Sequence, residues 1–393
     1  MGVSMGTNLA QRTDTWGGHL PEIRVASVHA NAYLLRAPHF TSHSGYELAV
    51  RDAAELHGIA GFGQHWPRQP IRGDESVPAW RQILARGAQR LTSQLAGMEG
   101  YSTGGLALEL SAMAQMSRCR HQVFHFLYGE NTCRFTPWLD RWRGNRVVAT
   151  FHQTPDQLKE AIRRPGYLRR LGAAIILGRN QVEFLGQYIP PQRLHFLPHG
   201  VDTVYFCPAP QRRRHDPPLC VSIGGHLRDL ATLRRAVEIL ESRAVPVQYE
   251  FIARGDQLPD VQGLPRARVR TWVEEEEFLR LYQHADVFVL PLYDAVASNT
   301  LLEALACGAP TVVTDVGAVR DYVDESCAAF ARPDDPGSLA DAIERCLRQP
   351  EYAAGIGAAG RARAEALDIR VVAGLHRRLY AALVHGHLGG GRL

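Results

Sequence analysis

Lysine is almost missing from this chain of 393 residues: Lys159 stands alone, and arginine supplies the rest of the 44 basic side chains. Arginine gives fixed, bidentate recognition of phosphate but cannot readily serve as a Schiff-base amine. Charge of one sign is lacking too. The formal net charge of +4 is too small for the chain's size to mark a nucleic-acid binder, although it suits anionic small molecules. Seven cysteines (Cys119, Cys133, Cys207, Cys220, Cys307, Cys327 and Cys346) are scattered, odd in number and without a C-x-x-C pair. That pattern excludes a zinc ribbon or a disulfide frame and points to reduced, intracellular thiols that mostly fill core space. No stretch approaches the roughly 18 apolar residues of a membrane span. The start, MGVSMGTNLAQRTDTWGGHLPE, has no apolar segment behind a basic one, so it does not read as a secretory signal. A soluble, cytoplasmic protein is expected.

What is present is a full core. Hydrophobic residues make up 45% of the chain and charged residues 21%, the balance of a globular protein. Two domains are the natural expectation at about 100–200 residues each. From residue 23 onward, short apolar runs alternate with longer helical periods. The first strand is read at 23–28, followed by a helix within SHSGYELAVRDAAELHG, where Ser44 and Glu47 have capping-box spacing. Residues 61–80 read as loop, and helical patterns run to about 118. QVFHFLYGE, RVVATFHQ, AAIILG and LHFLPHG then read as strands. TVYFCPAPQRRRHDPP, rich in proline and charge, is the best linker. After it the spacing predicts strands at 219–223, 247–252, 269–272, 287–290 and 311–314, with helices at 229–240, 275–282 and 299–307. Such alternation argues for two parallel sheets, each covered on both faces.

In open sheets of this class ligands bind outside the carboxyl ends of the strands. One such place is SNTLLEALACGAP, where a helix opens at Ser298 and closes at Gly308. A helix N-terminus offers unpaired N–H groups and the positive end of a dipole, which together form an anion site. The small side chains of Ala297, Ser298, Asn299 and Thr300 leave room for an anion, and Glu303 could reach past it toward a ribose diol. The same residues also suit a plain helix start, with Ser298 as cap and Glu303 complementing the dipole.

NTLLEALACGAPTVVTDVG resembles the nucleotide-sugar motif of the GT4 family, retaining glycosyltransferases of the GT-B fold. LPHGVDTVYFCP, VRTWVEEEEFLRLYQHADVFVLP and RVVATFHQ are similar to three further segments of that family, so the resemblance covers residues 23 to about 385. It implies an N-terminal tail at 1–22, an acceptor-binding domain at 23–205, a nucleotide-sugar-binding domain at 206–370, and a terminal helix and tail from 371 to 393 that cross back to the first domain. It implies further that Glu303 binds the ribose, that the amides near Ser298, Asn299 and Thr300 hold the diphosphate, and that Trp272 meets the base. Gly45 and Gly225 would let their loops approach the donor, and His152 would contact its sugar. His43, with Tyr128, Glu130 and Asn131, would shape the acceptor pocket. His125, inside a strand, reads as core.

Two departures stand out. The acidic residue usual eight positions before the ribose glutamate is replaced by Ala295, with Asp294 one residue earlier as its substitute. The lysine usual after the first strand of the second domain is absent from SIGGHLRDLATL, which leaves Arg228 to meet the diphosphate charge. With no Asp-x-Asp in the chain, a metal on the diphosphate is not expected, and no other cofactor is implied. The partners expected are a UDP- or GDP-sugar and a small-molecule acceptor, with arginine-heavy composition hinting at a natural product; nucleic acid is not expected. The basic stretch KEAIRRPGYLRRL is read as a solvated helix face, so membrane association is not expected either. The alternatives are a sugar-nucleotide epimerase of the same fold and a degenerate, non-catalytic transferase. A phosphorylase using pyridoxal phosphate is disfavoured because Lys159 lies far from the second domain.

Overall fold

The computed structural model describes residues 23–26 and 79–385. The expectations for Gly45, His43 and the helix around Ser44 therefore lie outside the described residues.

Five strands, β1 (Ile23–Ala26), β2 (Val123–Phe126), β3 (Arg146–Phe151), β4 (Ala173–Ile176) and β5 (Leu194–Phe196), form a parallel sheet in sequence order. Every residue of β2 and β4 is buried, which is why these segments read as unbroken apolar runs rather than alternating ones. Helices α1 (Ala79–Ala96), α2 (Thr103–Met116), α3 (Gly129–Thr132), α4 (Pro155–Ala161) and α5 (Val182–Leu185) belong to this domain. Pro155 occupies the first turn of α4, behind a capping box made by Thr154 and Gln157, a start signal that suits proline's missing N–H.

The second sheet is six-stranded and parallel, ordered β11-β10-β9-β6-β7-β8. Its strands are β6 (Leu219–Ile223), β7 (Gln248–Ile252), β8 (Ala267–Arg270), β9 (Val287–Leu290), β10 (Thr311–Thr314) and β11 (Ala329–Ala331). Helices α6 (Leu230–Ser242), α7 (Leu258–Val261), α8 (Glu275–His284), α9 (Asn299–Ala306), α10 (Val319–Tyr322), α11 (Pro336–Arg348) and α12 (Pro350–Ala366) complete it. The strand expected at 269–272 is displaced: β8 ends at Arg270, so Trp272 sits on the loop beyond it. β8 is an edge strand with no fully buried residue, and its charged alternation, ARVR, leaves no apolar run to mark the ends.

The last helix, α13 (Ile369–His385), packs on residues of the first sheet. Leu379, Tyr380 and Leu383 pack among Val123, Val148 and Ile175. His125, inside β2, is fully buried; Tyr380 Oη lies 2.6 Å from its Nδ1 and Thr150 Oγ1 lies 2.7 Å from its Nε2. It is a satisfied core residue, and its burial beside His376 lowers its affinity for a proton well below the usual imidazole range. At the segment before α13, Val201 N donates to Leu367 O at 3.1 Å and Val201 O accepts from Ile369 N at 2.9 Å. Among the described residues no helix is long and apolar enough to cross a membrane.

Candidate functional site

In the second sheet the strand order reverses between β6 and β9, which are hydrogen-bonded neighbours. The crevice beyond the carboxyl ends at such a switch point is where open α/β sheets take ligands. The loops at 224–229 and 291–298 meet there. They are sewn together by an antiparallel bridge between Arg228 and Leu292 and by hydrogen bonds from Asp229 N to Pro291 O and from Tyr293 N to Leu227 O.

Arg228 is buried within this loop pair. Its guanidinium donates to the carbonyls of Ile223 and His226 and, at 2.7 Å, to Thr300 Oγ1. It pairs with neither of the nearby carboxylates Asp229 and Glu241: Asp229 caps α6 by accepting from Thr232 N, and Glu241 accepts from Arg266. Burial pulls the Arg228 guanidinium down to about 10, against the opposing pull of Tyr282 and Glu303. It stays charged at neutral pH. Gly224 makes this arrangement possible, with φ of 104° and a notional Cβ only 2.6 Å from Arg228 Nη2. A side chain there would be strained and would displace the guanidinium.

Across the crevice α9 begins as the sequence suggests. Ser298 is its N-cap and accepts from Leu301 N, and Ser298 Oγ lies 3.0 Å from Thr300 Oγ1. Among the described residues the backbone N–H groups of Asn299 and Thr300 have no acceptor within the chain. One turn further on, Glu303 is buried and accepts from Tyr282 Oη at 2.8 Å. Tyr282 is itself locked by Phe206, Phe278 and Phe288. Burial and the adjacent carboxylate raise the Tyr282 phenol well above its usual range, so it remains a donor. The result is a fixed cation, a helix start with spare amides and an oriented carboxylate at one crevice.

The structure treats the other second-domain candidates differently. Gly225 follows the strained turn and is packed beneath Arg254 and Gln257, whose Nε2 donates to its carbonyl. Trp272 is exposed on the loop after β8, two strands from β6. Asp294 turns one carboxylate oxygen onto the amide of Ala295 at 2.7 Å and lies against Gly317. Ala295 is buried, and its carbonyl accepts from Asn180 Nδ2 at 3.0 Å.

That bond from Asn180 comes from the first domain, on the loop after β4. Arg179 from the same loop donates to Asp321, while Tyr322 Oη donates to Leu177 O and accepts from His199 N. Val296 and Ala297 join Leu127, Tyr128 and Leu177 in one apolar cluster. The loop leading into α9 therefore rests on the carboxyl ends of the first sheet. There the Tyr128 and His152 rings stack at 4.5 Å, and His152 Nε2 lies 2.7 Å from Leu127 O. Glu130 is buried and accepts from His152 N at 3.3 Å, but its Oε2 has no hydrogen-bond partner among the described residues. Burial pushes its carboxyl up to about 8. Asn131, beside it on α3, points its amide oxygen toward Gly100. Tyr128, Glu130 and His152 thus lie together; Asn131 is on the same turn.

Sequence reasoning missed Tyr282, Asn180 and Gly224. Only Gly224 had a local signal, as the first glycine after a strand at the head of a helix-leading loop. No group of three or more metal-ligating side chains occurs among the described residues.

The Glycosyl transferases group 1 family model matches residues 218–349, the segment that carries β6 through α11. The MMP alpha-(1->4)-mannosyltransferase of Mycolicibacterium hassiacum is 30% identical over 185 residues, 45% of this chain and 45% of that protein. The GDP-mannose-dependent alpha-(1-6)-phosphatidylinositol monomannoside mannosyltransferase of Mycolicibacterium smegmatis is 27% identical over 224 residues, 49% of this chain and 59% of that one. The chain matches these curated relatives over only about half of their length. Sucrose-phosphate synthase from Thermosynechococcus elongatus has the same fold, with a TM-score of 0.65 at 17% identity over 93% of this chain and 100% of that one. With two parallel sheets built as in the GT-B structures, the group 1 match over β6 through α11, and mannosyltransferases among its relatives, this chain is similar to the GT4-type glycosyltransferases.

Proposed function

We propose that the protein moves a sugar from a nucleoside diphosphate sugar to an acceptor hydroxyl with retention at the anomeric carbon. The observation that supports it best is the meeting of Arg228, the α9 N-terminus and the Tyr282-held Glu303 at the β6/β9 switch point. In this reading the second domain, residues 206–370, holds the donor and the first, residues 23–205, holds the acceptor. Glu303 accepts from the ribose, the amides of Asn299 and Thr300 take the diphosphate, and Ser298 keeps the helix start in place. The bond between the sugar's anomeric carbon and the phosphate oxygen breaks. The acceptor oxygen bonds to that carbon from the same face, and its proton passes to the departing diphosphate.

The protein's contribution is then electrostatic. Arg228 and the helix amides stabilise the charge that grows on the leaving group, without a metal ion, in a crevice where preorganised donors count for more than in water. His152 and Tyr128 form the sugar-facing wall, with Glu130 and Asn131 toward the acceptor. Gly225 and Trp272 border the base, and Asp294 shapes the loop that leads to Ala295. Both curated relatives named above are mannosyltransferases, which favours a hexosyl donor, and one is named for GDP-mannose. An acceptor drawn from glycan metabolism agrees better with those names than a natural product does.

A melting-temperature screen with UDP, GDP, ADP and dTDP, followed by transfer assays with the matching sugar nucleotides, tests the reading. A bound nucleotide at a hundredfold excess over Kd stabilises by about 2.7 kcal/mol. One nucleotide should shift the transition, and its sugar conjugate should yield a glycosylated acceptor. No shift with any of them would refute the proposal.

A further inference from the structure

We infer that Asn180, a side chain of the first domain, is a positioning residue for the diphosphate site of the second, resting this on the proposed seating of the diphosphate at the amides of Asn299 and Thr300. Those amides have no acceptor among the described residues, so their aim is set by the segment that leads into α9. Ala295 stands four positions ahead of Asn299 in that segment, and the peptide groups on both sides of it are tied. Its N–H donates to Asp294 Oδ1 at 2.7 Å. Its carbonyl accepts twice, from Ala318 N at 2.9 Å and from Asn180 Nδ2 at 3.0 Å. The second of these donors comes from the other domain.

Asn180 is itself held firmly. It lies in the 3-10 turn Arg179–Gln181 that follows β4. The Gln181 side chain staples that turn to the sheet. Its Oε1 accepts from Leu177 N at 2.8 Å and Gly178 N at 3.2 Å, and its Nε2 donates to Phe151 O and Gln153 O, both at 2.9 Å. Phe151 and Gln153 flank His152 at the end of β3. Gly178 gives the second domain room to approach, because a Cβ on it would sit 2.5 Å from Ala318 Cβ. The turn thus carries the rigidity of the first sheet to Ala295.

The orientation of the Asn180 amide is forced. Ala295 O accepts and cannot donate, so the NH2 end must face it. The other end, Oδ1, is then buried with no hydrogen-bond partner among the described residues. A buried acceptor without a donor is costly, and an apolar side chain of the same shape would fill the space without that cost. Space filling therefore does not account for an asparagine here; the bond to Ala295 O does. Other contacts already hold the two domains together. Arg179 binds Asp321 through its N–H and guanidinium, Tyr322 Oη donates to Leu177 O and accepts from His199 N, and Val296 and Ala297 pack with Leu127 and Leu177. What Asn180 adds is the placement of one carbonyl at the root of the diphosphate loop.

Two variants of the full chain test this, assayed with the sugar nucleotide that the melting screen identifies. Asn180→Leu keeps the volume and removes the donor. Its kcat should fall by about 10–100-fold, up to the loss that a misplacement of about 1 Å brings, with the melting temperature held. The donor KM should change less, because charge growing on the leaving group depends most on the aim of the amides. Asn180→Asp keeps the shape but sets a carboxylate oxygen against Ala295 O. It should be worse than Asn180→Leu at about pH 8 and recover relative to the parent toward about pH 6, as the buried carboxyl takes up a proton it can donate. Equal losses in the two variants without that recovery, or parent-like kcat in Asn180→Leu, would overturn the role of Asn180. If a nucleoside diphosphate shifts the melting of the parent and both variants transfer at the parent rate, only that role is lost. If none shifts the parent, the seating of the diphosphate falls and the role falls with it.

Discussion

Arg228 and Thr300 lie 72 residues apart in the chain, yet the guanidinium donates to the threonine hydroxyl across 2.7 Å. This contact holds a buried positive charge against the start of α9. Losing one donor aimed at a developing oxyanion typically lowers turnover by about 10²–10³-fold. Arg228→Ala should lose that much in kcat, and Arg228→Lys should recover only part, because the planar fork is gone. Normal turnover at saturating donor would exclude the assignment.

Tyr282 never touches substrate in this account; it positions the carboxylate that does. Hydrogen bonds to charged groups contribute about 1.5–3 kcal/mol. Tyr282→Phe keeps the packed ring and removes only the donor, so KM for the donor should rise by roughly tenfold or more while kcat changes little. Combined with Glu303→Gln, the two losses should be far from additive. A Tyr282→Phe variant with unchanged donor KM would show that the contact serves packing alone.

Gly224→Ala is expected to harm donor binding more than any other single methyl group. Its φ of 104° disfavours an L side chain, and the new Cβ would meet the Arg228 guanidinium at 2.6 Å. Strain of this kind costs on the order of 1–3 kcal/mol. The variant should melt lower and bind nucleotide more weakly. Gly255→Ala, where nothing lies within 4 Å of the added carbon, serves as the control.

Glu130 gives a pH signature. Its carboxyl is raised from the ordinary 4.5 to about 8 by burial. Between those values the folded chain holds a proton that the unfolded chain has released, so stability falls as pH rises through this window. Glu130→Gln abolishes that slope. Its melting temperature relative to the parent should climb steadily from pH 5 to pH 8, as followed by calorimetry in matched buffers. The buried His199 and His376, each lowered from 6.5 to about 4, act oppositely, adding stability as pH rises from about 4 to 6.5 in both proteins. They cancel in the comparison.

Much of the second domain could be read from sequence because its signals are sharp. β9 is four buried residues stopped by Pro291, and α9 is bounded by the Ser298 cap and by Gly308 at φ of 69°. Where signals are diffuse the reading fails. No assignment is made from sequence between residues 315 and 368, where α12 is an alanine- and glycine-rich helix with no apolar stripe. It packs by close backbone approach, with the notional Cβ of Gly357 lying 2.6 Å from Gly308 O. The site was legible as residue types, not as partnerships. Glu303 and Arg228 announce themselves by charge near strand ends. Tyr282 looks like one more core aromatic until the fold brings it to a carboxylate 21 positions away. The basic run at 163–170 likewise reads as a solvated helix until the fold sets its arginines beside Trp138.

The most direct test of the central claim is a structure of the protein with the nucleoside diphosphate that shifts its melting temperature. The account expects the diphosphate oxygens at hydrogen-bond distance, about 2.7–3.2 Å, from the amides of Asn299 and Thr300, with Arg228 beside them and the ribose hydroxyls on Glu303. A nucleotide seated away from the β6/β9 crevice, with the Glu303 carboxylate held only by Tyr282, would contradict it.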